Sequence, residues 1–327
     1  MSGAAGLSVD VHLSATDLHR ALEEDVRVGL TSRPKSIPPV WFYDEEGSRL
    51  FEVITTLDEY YPTRAERRLL ELHSPAIAAL AGADTLVELG AGACAKTRTL
   101  LDAMGEDGPL RRYLPFDVSD DFLRSAAAEV LEDYEGLEVH AVIGDFHRHL
   151  DRIPVVGIRL VAFLGGTIGN LTPDQRQRFF FDLNCSMLAG DHLLIGTDLV
   201  KDTRRIIAAY DDGAGVTAEF NRNMLRVLNE QLDADFVPEL FEHLAVWNDA
   251  EQWIEMRLRS TAEQSIHINA LDLEVHFEAG EEMLTEISAK FTPEQVADEL
   301  IKADFVVDGQ WGADEGDFLL TLAHPYC

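Results

Sequence analysis

Between residues 65 and 200 the apolar positions fall into short continuous runs, separated by longer stretches with helical spacing. The runs TLVELGAGA (85–93), RYLPFDVS (112–119), EVHAVIGDF (138–146), IRLVAFLGG (158–166) and HLLIGTDLV (192–200) read as five buried strands. The intervening ERRLLELHSPAIAALA (66–81), KTRTLLDAM (96–104), DFLRSAAAEVLEDY (121–134) and TPDQRQRFFFDLNCSML (172–188) read as helices. Strands without a polar face, alternating with helices, predict a parallel sheet covered on both sides.

Past residue 200 the rhythm changes. Residues 201–232 predict helix, broken near Gly213 and Gly215. LFEHLAVWND, QWIEMRLRS, QSIHINA and LEVHFEAGE then alternate as strands joined by short turns, which predicts an antiparallel sheet. FTPEQVADELIKA returns to helix, with Thr292 as cap and Pro293 in the first turn. FVVDGQW and DFLLTLA close the chain as two strands around a turn rich in Gly and Asp. A five-stranded parallel sheet completed by such a hairpin is the seven-stranded, Rossmann-like sheet of class I S-adenosylmethionine (SAM) methyltransferases. The expected organisation is an α/β SAM-binding domain at 65–200 and 291–327. An inserted α+β substrate-binding domain is expected at 12–64 and 201–290. The terminal HPYC falls outside any element and is expected to be disordered.

Composition narrows the partners. The 327 residues carry 27 Lys and Arg against 59 Asp and Glu, a formal net charge of −32. So acidic a surface repels phosphate backbones and anionic lipid, which argues against nucleic acid and membrane partners. No apolar run approaches the ~18 residues of a membrane span. The first 26 residues have neither a basic start nor an apolar core. Cys94, Cys185 and Cys327 are too scattered for a disulfide frame or a zinc site. A cytoplasmic protein is expected, and a monomer, since no interface pattern stands out. The Asn170-Leu171-Thr172 sequon is accordingly set aside as a glycosylation site.

Candidate chemistry gathers at the strand ends. Gly90 and Gly92 follow the first strand, where glycines let the backbone approach a ligand and a helix N-terminus offers free N–H groups. Asp117 ends the second strand, placed to accept from ribose hydroxyls. Asp145 and Phe146 end the third, a carboxylate and a ring suited to an adenine amine and face. The acidic Glu88 before Gly-x-Gly, without a third phosphate-loop glycine, favours SAM over NAD, because SAM has no pyrophosphate to cradle. The fourth strand ends in Gly165-Gly166-Thr167-Ile168-Gly169-Asn170. Thr172, Pro173 and Gln175 already fit a capping box, which leaves Asn170 for another partner. Tyr43, Tyr60, Tyr210, Glu286 and Ser288 are further polar candidates, and the last two share a face if their segment is extended. Each also has an ordinary reading as packed ring or surface charge. His147 and His149 have no carboxylate or cysteine at ligand spacing, so no metal is expected. No G-x-S-x-G elbow or Cys/His pair suggests covalent catalysis.

WFYDEEGSRLFE, EYYPTRAE, VELGAGACAKT, FLGGTIGNLTP, GTDLVKD, AYDDGAGVTAEFN and GEEMLTEISAKF together resemble the histidine-specific SAM-dependent methyltransferase family, over about residues 20 to 322. The resemblance implies SAM as methyl donor, with S-adenosylhomocysteine as by-product. It implies that Gly90, Gly92, Lys96, Asp117, Asp145 and Phe146 contact SAM. It places Tyr60, Asn170 and Tyr210 on the amino acid's carboxylate and amine, and Glu286 and Ser288 on the imidazole. Phe51, Gly165, Met256 and Ile287 shape the pocket on the same reading. The amine proton is expected to leave through Tyr43, Tyr60 or solvent, with no strong dedicated base. The implied reaction is threefold methylation of histidine to its betaine, hercynine, in ergothioneine biosynthesis, with the mono- and dimethyl intermediates held by the same pocket. Ala91, Ala93 and Gly166 replace hydroxyl residues common in the family. A different acceptor, such as tryptophan or a modified histidine, and a non-catalytic SAM-binding protein remain the rival readings.

Overall fold

The computed structural model describes residues 6–92, 96–106, 108–312 and 316–326. Ala93, Cys94, Cys327 and the middle of the last turn (313–315) lie outside the described residues. In chain order the elements begin with β1 (Leu7–Val11), α1 (Ala15–Thr31), β2 (Lys35–Ser36), α2 (Glu45–Thr56), α3 (Pro62–Ala81), β3 (Thr85–Leu89) and α4 (Thr97–Gly105). β4 (Arg112–Asp117), α5 (Asp120–Asp133), β5 (Glu138–Ile143), β6 (Arg159–Phe163), α6 (Pro173–Ser186) and β7 (His192–Asp198) follow. Next come α7 (Thr203–Tyr210), α8 (Val216–Leu232), β8 (Phe241–Asn248), β9 (Trp253–Ser260), β10 (Gln264–Ile268), β11 (Leu273–Phe277) and β12 (Glu282–Ala289). α9 (Pro293–Lys302), β13 (Phe305–Gly312) and β14 (Phe318–Pro325) complete the chain.

The chain divides into two compact units, one of residues 1–14, 65–199 and 291–327, the other of residues 15–64 and 200–290. The first unit is built on one eight-stranded sheet in the order β1-β5-β4-β3-β6-β7-β14-β13. β1 and β3 to β7 run parallel, and β14 and β13 close the edge antiparallel. Every residue of β3 and β6 is buried, which is why these strands read as unbroken apolar runs. Each buried Leu or Val there is worth roughly 1.5–3 kcal/mol. The sheet has one strand more than the sequence predicts. β1 pairs with β5 at the open edge, and none of its residues is fully buried, so no apolar run announces it.

The switch in strand order falls between β3 and β6, with β4 and β5 to one side and β7 to the other. Open α/β sheets bind ligands in the crevice beyond such a point.

The second unit holds a four-stranded sheet in the order β2-β12-β9-β8 and a separate β10–β11 hairpin. Its core draws on Leu22, Val26 and Leu30 of α1, Trp41, Phe42, and Phe220, Met224 and Leu228 of α8. Gly29 is required by close approach, since a Cβ there would lie 1.9 Å from the Ser36 carbonyl oxygen. The helix predicted over 201–232 divides at residues 211–215. Asp212 accepts from the N–H groups of Val216 (3.0 Å) and Thr217 (2.7 Å) and so caps α8.

The tail corrects an expectation: β14 runs through His324 and Pro325, and the Tyr326 N–H donates to the Asp304 carbonyl at 2.7 Å. Pairing with β13 orders a segment whose composition suggested none. Among the described residues no helix is long and apolar enough to cross a membrane.

Candidate active site

β3 delivers its chain into two left-handed glycines, Gly90 (φ +69°) and Gly92 (φ +50°). A Cβ at either would meet nothing within 4 Å, so these glycines serve backbone conformation and an open approach rather than packing. The N–H groups of Gly90 and Ala91 donate to the Phe116 carbonyl, and that of Gly92 donates to the Asp117 carboxylate at 3.1 Å. Asp117 also accepts from the Ser119 N–H at 3.0 Å, so its position at the end of β4 is fixed from two sides. Burial raises its pKa, and the backbone donors partly offset this.

Glu88, one residue before the end of β3, is buried and accepts from Thr97 and from the Tyr113 hydroxyl (2.6 Å). Burial pushes it up to about 7 against the pull of those donors. Its carboxylate is engaged by α4 and β4.

At the end of β5 the Asp145 carboxylate accepts from the His147 N–H at 2.8 Å, and the Asp145 N–H donates to His149 Nδ1 at 3.1 Å. The Phe146 ring packs edge-on to Phe163 (5.3 Å) and Phe179 (5.8 Å).

A residue to which the sequence reading gave no role ties this end of the sheet together. Glu66 of α3 is fully buried; one carboxylate oxygen pairs with the Lys96 ammonium and the other accepts from the Gly165 N–H at 2.7 Å. It thus joins the loop after β3 to the loop after β6, on the two sides of the strand switch. Gly196 leaves room for it, because a Cβ there would lie 2.3 Å from Glu66 Oε1. The only sequence signal was its place at the end of EYYPTRAE.

After β6 the chain passes through Gly165 (φ +79°) and Gly166 (φ +69°) into a short turn over Thr167–Asn170. Thr172 and Gln175 form the expected capping box, with the Thr172 N–H donating to Gln175 Oε1 at 2.8 Å. The Asn170 side chain is half-buried and makes no hydrogen bond among the described residues.

The second unit carries the other candidates. Tyr43, Phe51, Tyr60 and Tyr210 form one aromatic series: Tyr43 to Phe51 at 5.7 Å, Phe51 to Tyr60 at 6.1 Å, and Tyr60 to Tyr210 at 6.3 Å, all edge-on. Tyr43 is the exposed member, whereas Tyr60 and Tyr210 are buried.

In β12 a bulge falls between Leu284 and Glu286, after which Glu286 pairs with Met256 and Ser288 with Ile254. The unbroken register from there puts Glu286 and Ser288 on one face, with Ile287 directed to the other. Bulges re-aim side chains, and this one sets the direction of the pair. Lys290 continues the same face just past the strand. It is fully buried, and its ammonium donates to the Tyr210 hydroxyl and to Ser288 Oγ, both at 2.9 Å. The Tyr210 hydroxyl in turn donates to Ser288 Oγ at 2.8 Å. Ser288 Oγ therefore accepts twice, and its own proton is left to point at a ligand. Glu286 is buried; burial pushes it up to about 7, against the pull of Lys290. Lys290 is the second group the sequence reading passed over, since a lysine at a strand end ordinarily marks solvent.

His243 holds the end of α7 from behind. Its Nδ1 accepts from Asn221 (2.8 Å), which leaves Nε2–H to donate to the Tyr210 carbonyl (2.8 Å), and burial lowers its pKa, so the ring is neutral.

A profile of the histidine-specific, SAM-dependent methyltransferase family matches residues 22–325. The chain belongs to this family. It is a SAM-dependent methyltransferase, and the glycines, Asp117 and Asp145 lie at or just beyond the carboxyl ends of β3, β4 and β5, beside the switch in strand order. Among its relatives, the histidine N-alpha-methyltransferase of Mycolicibacterium smegmatis is 56% identical over 97% of this chain and 99% of its own length. The protein of the same description from Mycobacterium tuberculosis is 52% identical over the same shares. Ergothioneine biosynthesis protein 1 of Neurospora crassa is 30% identical over 65% of this chain and 26% of its own length.

Proposed function

We propose that the protein methylates the α-amine of L-histidine three times in succession, giving hercynine, the opening step of ergothioneine biosynthesis. The observation that carries this reading is the buried polar set of Glu286 and Ser288 on one face of β12, with Lys290 just past the strand and Tyr210 of α7 bonded to Ser288. A neutral imidazole has one N–H donor and one bare nitrogen. Glu286 offers a pure acceptor when ionised, and Ser288 offers a donor whose oxygen is already saturated. Together they match both ring nitrogens of one tautomer. An apolar side chain would leave both protein groups buried and unpaired, at a cost of roughly 1–3 kcal/mol each.

On the donor side, the proposed SAM contacts are the backbone at Gly90 and Gly92, with Lys96, Asp117, Asp145 and Phe146. Asp117 would take the ribose hydroxyls, while Asp145 and Phe146 would take the adenine. Tyr60, Asn170 and Tyr210 would hold the carboxylate and amine of the amino acid. Phe51, Met256 and the chain at Gly165 and Ile287 would shape the pocket.

Transfer from a sulfonium is an in-line displacement: the nitrogen lone pair forms the N–C bond as the S–C bond breaks, and the electron pair stays on sulfur. The reacting atoms need to be held ~3–3.5 Å apart, which makes positioning the main contribution of the protein. An α-amine is mostly protonated near neutral pH, with a reference pKa of ~7.7–8.0 in chain termini, so one proton must leave before each of the three transfers. The sulfonium charge itself disfavours an ammonium neighbour. The exposed Tyr43, edge-on to the same aromatic series as Tyr60, offers a route for that proton to water. With carboxylate and imidazole anchored, the amine can rotate to present a lone pair after each round.

Incubating the purified protein with SAM and a panel of amino acids, with products read by mass, tests this. Three methyl increments confined to histidine are expected. Methylation of tryptophan or another acceptor in preference would redirect the assignment, and methylation of none would point to a non-catalytic SAM binder.

A further inference from the structure

Three residues far apart in the sequence meet at the opposite end of β7 from the ligand crevice. His192 opens β7, His324 lies near the end of β14, and Asp308 lies on β13. The β13–β14 register slips between Val307 and Gly309, so Asp308 is the extra, unpaired residue of a bulge beside His324. That irregularity turns its carboxylate toward both imidazoles. Asp308 Oδ1 and Oδ2 lie 2.8 and 2.9 Å from His324 Nδ1, and Oδ2 lies 3.7 Å from His192 Nε2. One donor atom from each of the three falls within 4.8 Å of the other two.

We infer that His192, Asp308 and His324 form a binding site for a divalent transition metal of the zinc class. Two imidazole nitrogens and one carboxylate oxygen are a ligand set of borderline hardness, suited to zinc, cobalt or nickel rather than to calcium or magnesium. In a tetrahedral zinc site, with bonds of ~2.0–2.2 Å, neighbouring ligand atoms lie about 3.3 Å apart. From Asp308 Oδ2 the two imidazole nitrogens lie 2.9 and 3.7 Å away, on either side of that spacing, and one donor nitrogen of each imidazole lies within 4.8 Å of the other. His192 supplies an independent sign. Its Nδ1 is buried without a hydrogen-bond partner among the described residues, and its Nε2 lies beyond hydrogen-bond reach of Asp308. An imidazole with no hydrogen bond to give up can ligate through Nε2 in the tautomer that carries its proton on Nδ1. Water would complete the coordination. Each ligand comes from a different strand, so the ion would pin the closing β13–β14 hairpin to β7. Because the crevice lies beyond the other end of β7, the ion takes no part in methyl transfer.

The full-length protein, stripped with a chelator, is titrated with zinc alone and then cobalt alone. Calorimetry, thermal melting and the visible absorption of cobalt give the readouts. One saturable equivalent, a rise in Tm and a visible cobalt band are expected. Asp308→Asn and His324→Gln should each weaken binding by on the order of 100-fold or more, since loss of even an outer-shell partner costs about 10–100-fold. Cys185→Ser should leave binding unchanged. Affinity should fall in acid, because protons compete with the metal for the ligating lone pairs. Methyl transfer by the chelated protein should persist. Binding that survives in both Asp308→Asn and His324→Gln, or no stoichiometric binding at all, would overturn the assignment. Asp308 is only partly buried, so its variant tests the site without disturbing the core.

Discussion

The candidate donor site and the candidate acceptor site are made of different materials. At the switch between β3 and β6 the proposed SAM-facing surface is largely backbone: two left-handed glycines after β3, two more after β6, and carboxylates held by neighbouring N–H groups. On β12 it is side chains, with Glu286, Ser288 and Lys290 buried on one face around the Tyr210 hydroxyl. A backbone site recognises what every SAM molecule shares. A side-chain site can be retuned one residue at a time, which suits an acceptor pocket that has to tell one amino acid from another.

This contrast can be broken by variants that act on the wrong ligand. The largest effect is expected from Asp117→Ala. Loss of a charged acceptor for two hydroxyls should weaken SAM binding on the order of 100-fold, at ~1.5–3 kcal/mol per charged hydrogen bond. The preference for histidine over tryptophan should stay the same, and calorimetry with a competition assay would show whether it does. Glu286→Ala is the converse. A drop in kcat/KM for histidine of roughly 10- to 100-fold is expected, with SAM affinity unchanged. Equal losses for both ligands would remove the division of labour.

Lys290→Met should come next. Without the ammonium, Ser288 can turn its proton back onto Tyr210, so histidine KM should rise about 10-fold with little change in SAM affinity. An unchanged KM would mean that Lys290 only fills the core. Asn170→Ala should raise histidine KM by a similar or smaller factor, and a flat response would end its proposed role.

The smallest effect concerns pH. Glu286 is raised in the fold from 4.5 to about 7, so the folded protein holds a proton that the unfolded chain has lost. Its contribution to stability therefore declines as pH rises from about 4.5 to about 7 and is flat above that. Glu286→Gln should then melt a few degrees above the parent at pH 8 and lose most of that advantage near pH 5. Histidine uptake below pH 7 should release more protons in the parent than in the variant, because Glu286 ionises only in the parent.

The central strands were legible because they are buried on both faces and so are mostly apolar. β1 and α1 were not read, the first because it lies at an edge with half its surface wet. The left-handed glycines and the strand-end acids were legible in conformation and place, because both follow from the run of strands. Glu66 and Lys290 were hidden because a lone charged residue usually faces water, and only the fold shows each one buried against its partner. The His192, Asp308 and His324 group was invisible for another reason, as a bulge and two strand pairings bring it together. The specific acceptor came from whole-chain resemblance, since no spacing of residues in β12 spells out an imidazole.

The central claim is that histidine is held by its ring and carboxylate while its α-amine is the group methylated. Locating the methyl groups in the product, by fragmentation mass spectrometry and proton NMR after reaction with SAM, tests it most directly. One nine-proton singlet from a trimethylated α-nitrogen, with an unmodified imidazole, is expected. A methyl group on a ring nitrogen would contradict it, because Glu286 and Ser288 could not then be occupying both ring positions.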